Sequence, residues 1–499
     1  VADKSSGAAI AGSVLVGNNS GGSDADVLQY GPGASSAQVS GTITVESTGL
    51  LDLATNADSA GNAIVSVVGP SSSANIITGG GALTGTSFTT IGLAGATAAS
   101  PAATISGNIS TAATTTFAVE RSGATDDLNV SALISGTGLV VKSGWGTLDL
   151  SNDNSYSGDT YINANGGTVV VLADGALGSY TGYTTVNTDS TLAFRGGIDY
   201  STAQSIYIAG SGLGGISGAR HNGAIDSLSG ANTFAGLIYL LAASSIGVTS
   251  GSLAETGGIF NASPLTLNGF GTLIEIGGIQ ASSVTVNNIT LSGTGAISGP
   301  VTLATAGELA PGIGSTPASI STGSLTLDPA GAYSITLNGS TAGSGYSQDD
   351  VEGIISLGGA TLFGSLGFIP AGGTSFTIID NDSSSPVTGT FNNLPQGSIA
   401  SIGGIGFTVN YNSGPGDDVV LVANNAPSLS GSASLASIIK NPTSNPGTSI
   451  PALIASGLTI TDADSGAIQG IAVDSVNDSN GTWQFSTNSG TTWTAFNSP

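Results

Sequence analysis

Few residues in this chain have the chemistry for catalysis or metal binding. It holds one histidine and no cysteine, which excludes thiol nucleophiles and thiolate metal sites. A hydroxyl–imidazole–carboxylate relay would have to use His221, in residues 218–223 (GARHNG). Its neighbours read as a loop, which places it at the solvent. Three adjacent acid pairs, Asp126/Asp127, Asp349/Asp350 and Asp417/Asp418, invite a glycosidase or polysaccharide-lyase reading. Successive strand residues point to opposite faces, so such a pair forms no catalytic dyad, and solvated loop acids are the simpler expectation. Calcium is the better-matched chemistry, since it takes carboxylate and carbonyl oxygens in flexible loops. Asp462 and Asp464 (TDADSG) form a D-x-D pattern, and Asp24 and Asp26 repeat it. Neither segment has the full run of an EF-hand. Trp145, Tyr156, Tyr161, Tyr180 and Tyr183 lie close in sequence. Stacked on one face they would present rings to a sugar, whereas packed at corners they would be structural.

The charge balance narrows the partners. Six Lys and Arg stand against 31 Asp and Glu, for a net charge of −25. The six cations are scattered, so neither nucleic acid nor an anionic membrane surface is expected as a partner. With no run of 18 apolar residues there is no transmembrane helix. Aromatic residues make up 5%, too few for the girdles of an outer-membrane barrel. The chain contains no Met and starts Val1-Ala2-Asp3, consistent with a removed signal peptide.

The elements that must position these residues are strands. Short alternating runs recur with Gly, Asn and Ser between them, as in 38–47 (QVSGTITVES), 63–68 (AIVSVV), 168–172 (TVVVL) and 301–303 (VTL). Self-similarity is visible: LISGTGL at 133–139 against LSGTGAI at 291–297, and GWGTL at 144–148 against GFGTL at 269–273. Degenerate repeats with small polar corners predict a β-solenoid, whose coils bury apolar side chains against one another. A boundary falls near 423–427 (ANNAP), before Pro442, Pro446 and Pro451.

Residues 136–158 (GTGLVVKSGWGTLDLSNDNSYSG) resemble the β-helix repeat of autotransporter passengers through Leu139, Lys142, Gly144, Gly146, Thr147, Leu148, Leu150, Asn154, Tyr156 and Gly158. Residues 307–422 resemble the C-terminal cap segment of the same large bacterial surface proteins, with ELAPG, FTIIDND, GTFNNL and GPGDDVVLV. Residues 461–496 resemble a cadherin-like or Ig-like repeat of giant adhesins. The resemblance implies an all-β fold: a right-handed parallel β-helix (β-solenoid) followed by a small Ig-like β-sandwich domain. The expected divisions are 1–130 as a β-rich start of the solenoid, 131–306 as repeats, 307–422 as its last part or cap, and 427–499 as the Ig-like unit. That unit is shorter than the ~100 residues of a full sandwich, so it is either cut off or completed by a strand from another chain. Trp483 and Trp493 are expected to fill its core.

These features predict a secreted, non-enzymatic structural protein of a bacterial cell surface, self-assembling as a homopolymer into a fibre, sheath or layer. The segment 8–16 (AAIAGSVLV) is the candidate donor strand, through Ala8, Ile10, Val14 and Val16. No cofactor other than calcium is expected. The alternative is a monomeric adhesin stalk that binds a glycan or host surface, and a secreted polysaccharide-active enzyme ranks last.

Overall fold

Val140–Ser143, Thr147–Leu150, Thr160–Ile162 and Gly167–Val171 are short, mostly β-branched and separated by Gly, Asn and Ser. None is long enough to bury its inner side chains alone, so each must stack on the equivalent strand of the next coil. The computed structural model describes all residues except 35–37, 58–63, 85–86, 215–220, 415–416, 436, 439–444, 464–469 and 497–499. It is a parallel β-solenoid: from Val14–Val16 to Thr361–Leu366 nearly every strand pairs in parallel with one a coil away.

The parallel register turns alternation into core columns. One runs Ile64, Phe88, Phe117, Lys142, Ile162, Val186, Ile208, Leu240. A second runs Leu148, Val169, Leu192, Ile225, Ile246, Leu267, Val286, Leu303. All are buried, and each apolar member contributes roughly 1.5–3 kcal/mol. Phe88 and Phe117 stack with centroids 5.1 Å apart. A third inward column reads Tyr200, Phe234, Glu255, Glu275, Gly293, so two carboxyls follow two aromatics inside the coil. The corners need special backbone. At Gly167 (φ +67°) a Cβ would stand 2.3 Å from the Gly146 carbonyl oxygen, so only glycine fits.

Pairing changes to antiparallel where Ser375–Asn381 meets Asp418–Ala423, which also pairs with Ile405–Ser413. Phe376, Phe391 and Phe407 are buried there, closing the solenoid's end. Beyond it, the described residues form two antiparallel pairs, Ser428–Gly431 with Leu458–Thr461 and Gln484–Phe485 with Thr494–Ala495, and one helix, Ile450–Ala455. Trp483 is 44% and Trp493 39% exposed. The expectation that they fill a core is therefore corrected: no second sheet covers them among the described residues.

Candidate functional site

Outward positions of one parallel face align five aromatic rings. Tyr161, Tyr183, Tyr207, Tyr239 and Phe260 belong to Thr160–Ile162, Tyr183–Val186, Ser205–Gly210, Ile238–Val248 and Ile259–Phe260. Their strand neighbours Ile162, Ile206, Ile238 and Ile259 are buried, which turns the rings outward. Register sets Tyr207 beside Tyr239 and Tyr239 beside Phe260. Successive centroids are 6.0, 5.4, 5.0 and 5.9 Å apart. The Tyr161 and Tyr183 hydroxyls hydrogen-bond at 2.7 Å. Of the five aromatics close in sequence, only Tyr161 and Tyr183 join this ladder. Tyr156 is buried, with its hydroxyl 2.6 Å from that of Thr160. Tyr180 is exposed, and Trp145 is half-buried at a bend.

Inside the coil, Lys142 occupies a core position and its ammonium turns to a corner. It donates to the carbonyls of Ser143 (2.9 Å), Gly144 (2.7 Å) and Gly166 (2.6 Å). Burial pushes its amine down to about 7, against the pull of Asp127 and Glu120. Asp127 is also buried and accepts from the Ser122 amide and hydroxyl and the Thr147 amide. Asp126 faces the other way, where Arg195 binds it at 3.0 and 3.2 Å and reaches Asp149 at 2.5 Å. Burial and the Asp126 charge, opposed by Arg195, push Asp149 up to about 7. Arg195→Ala is expected to cost about 1–2 kcal/mol at pH 8, because it leaves two facing carboxylates, and much less at pH 5, where Asp149 takes a proton. Urea midpoints at the two pH values check this, and equal losses at both would refute the account.

His221 is not the exposed loop residue expected from sequence. Its side chain is 10% exposed, with Nδ1 3.5 Å from the Asp226 carboxylate and Nε2 2.9 Å from the Thr168 hydroxyl. The order is that of a hydroxyl–imidazole–carboxylate relay, but Thr168 is buried. Asp226 is already engaged by the Asn222 amide and by the Thr249 amide and hydroxyl. The arrangement holds His221 and Asn222 against Thr168 and Asp226.

The Asp349/Asp350 pair splits as a strand requires, whereas Asp417 lies in the turn before Asp418–Ala423. Asp349 is buried against the Thr322 hydroxyl (3.1 Å), and burial pushes it up to about 8. Asp350 faces outward in register with Asp380, where partial burial and neighbouring carboxylates raise both. Asp418 accepts from the Asn381 amide at 3.1 Å.

The D-x-D acids stand apart. Asp24 accepts from the Asn75 amide (2.7 Å) and Asp26 from the Thr48 hydroxyl (3.2 Å). Asp462 is exposed just after Leu458–Thr461, and Asp464 lies outside the described residues. Among the described residues no group of three or more His, Asp or Glu side chains is arranged to hold a metal ion. The candidate donor segment is engaged within its own chain. Val14–Val16 pairs with Ile43–Val45, Ile10 bridges Val39, and the Ala8 carbonyl accepts from the Lys4 ammonium (3.1 Å).

Sequence reasoning missed three features: the extension of the ladder to Tyr207, Tyr239 and Phe260, the Arg195 bridge, and the Glu255–Glu275 pair. The last had a signal, ETGGI at 255–259 repeated as EIGGI at 275–279. Each glutamate accepts from its own Gly-Gly turn: Glu255 from the amides of Gly257 (3.0 Å) and Gly258 (2.8 Å), Glu275 from that of Gly278 (2.6 Å).

Residues 140–171 match the family model described as the passenger-associated-transport-repeat. The matched stretch holds Lys142, the Asn163–Gly167 corner and the first ring of the ladder. No curated protein matches the chain. The match covers one stretch of the coil, so what fold and match together show is a parallel β-solenoid that carries a passenger-type repeat. No helix among the described residues is long and apolar enough to cross a membrane.

Proposed function

We propose that this chain is a non-enzymatic structural protein of a bacterial surface, a solenoid that self-associates into a fibre, sheath or layer. The observation that carries the reading is a strand near the capped end with apolar side chains and a hydrogen-bonded partner on one side only. Thr361–Leu366 pairs along its whole length with Ala332–Leu337 on one side only, among the described residues. Phe363 on this strand is 55% exposed, and Ile369 just after it 83%. An unpaired edge with exposed apolar side chains is a template for strand addition. The segment 8–16 is the candidate strand from a neighbouring copy, which requires it to exchange its own-chain pairing with Ile43–Val45 for the neighbour's edge, and calcium at Asp24/Asp26 or Asp462/Asp464 is the candidate regulator of the contact. The adhesin reading draws on the aromatic ladder.

Negative-stain electron microscopy of the full chain, with and without calcium, is expected to show regular filaments or sheets. Deletion of residues 1–17 is expected to abolish them. Isolated rods under both conditions would reject the polymer, and unchanged polymers after deletion would reject the donor segment.

A further inference from the structure

The aromatic ladder stops in mid-solenoid, and the stop makes a step. Tyr207 lies between Tyr183 and Tyr239, and Tyr239 between Tyr207 and Phe260. Their faces are largely taken up by neighbouring rings. Phe260 has an aromatic neighbour only on its Tyr239 side among the described residues. The bridges from Ile259 to Ile279 and from Ile279 to Ile297 set Gln280 and then Ser298 in the positions that follow Phe260. The outward side chain shrinks from a ring to an amide to a hydroxymethyl, and an open groove of about 480 Å³ results. Leu237, Tyr239, Phe260, Asn261, Gln280 and Ser298 line it.

The lining defines what fits. It carries no charged side chain, and the surrounding chain has a net charge of −25, so an anionic ligand meets no compensating cation. Gln280, Asn261 and Ser298 are exposed and offer both donors and acceptors. An aromatic ring edging a groove with a few neutral polar groups matches an uncharged sugar ring, apolar across its C–H face and hydroxylated around its rim. We infer that the step at Phe260 is a binding subsite for an uncharged hexopyranose unit of a polysaccharide, with Phe260 as the stacking platform and Gln280 as the main hydrogen-bonding side chain. The inference is independent of self-assembly: a polymer and a monomeric rod would both present this face.

Affinity electrophoresis of the full chain tests it, in gels containing dextran, glucomannan, hydroxyethylcellulose or polygalacturonate. Retardation by at least one of the three neutral polymers is expected. Phe260→Ala should weaken the apparent affinity about tenfold and Gln280→Ala roughly threefold, while Phe260→Trp retains it. Gln280 is exposed, so its variant keeps the test valid if Phe260→Ala misfolds by circular dichroism. No retardation by any neutral polymer, retardation by polygalacturonate alone, or affinity unchanged in both alanine variants would overturn the subsite. So would sedimentation showing that Phe260→Ala instead dissolves an oligomer, which would assign the groove to a second copy of the chain.

Discussion

Lys142→Ala is expected to cost about 3–5 kcal/mol of stability, the largest loss from any single truncation discussed above. The residue sits in a core column between Phe117 and Ile162. Truncation opens a cavity there and also strips the carbonyls of Ser143, Gly144 and Gly166 of their shared donor. Lys142→Met separates the two effects, because it keeps most of the volume and removes only the donor. An intermediate loss of about 1–3 kcal/mol is expected. Urea midpoints measure both, and a methionine variant as stable as the parent would show that the carbonyl cage contributes nothing. The amine also has a pH signature. Its folded value, about 7, lies below the ordinary 10.5. The unfolded chain therefore holds the proton more tightly, and this site's contribution rises with pH between about 7 and 10.5. Lys142→Met removes that rise.

The buried carboxyls act in the opposite direction and at lower pH. Glu255 and Glu275 face each other in adjacent coils. Burial pushes Glu255 up to about 7, and burial with the Glu255 charge holds Glu275 well above the usual carboxylate range. Asp149 is raised to about 7 and Asp349 to about 8, burial leading in both. Each keeps a proton that the unfolded chain releases near pH 4. The folded state binds more protons in that window, so stability falls as pH rises from about 4 to 8, by several kcal/mol across the four groups. Thermal unfolding from pH 5 to 9 is expected to show this decline. Glu275→Gln keeps the shape and replaces the carboxyl with a neutral amide. It should raise stability by about 1–2 kcal/mol at pH 8 and change little at pH 5. A flat pH profile, or a variant less stable than the parent at pH 8, would remove this reading of the pair.

Much of the fold was legible in the sequence because alternation is local. A period of two in 301–303 states which side chains turn inward. Asp349 and Asp350, both on Gln348–Val351, had to face opposite ways for the same reason, and Asp349 is the member inside; Asp126 and Asp127 also diverge, but in the bend before Leu128–Val130. The counts of Lys, Arg, Cys and His excluded whole classes of chemistry without any coordinates. Register was not legible. Which residue of the next coil stands beside Tyr207 depends on the length of every intervening corner. Only the tertiary structure aligned Tyr161, Tyr183, Tyr207, Tyr239 and Phe260, ended that ladder beside Gln280, brought Arg195 back to Asp126 and Asp149, folded His221 against Thr168, and left Trp483 and Trp493 partly exposed. The sequence by itself determined a stacked β protein with little site chemistry, because inward–outward alternation is written residue by residue. The candidate sugar step and the buried ionisable groups were decided by coil-to-coil register, a sum over many corners that no single segment encodes.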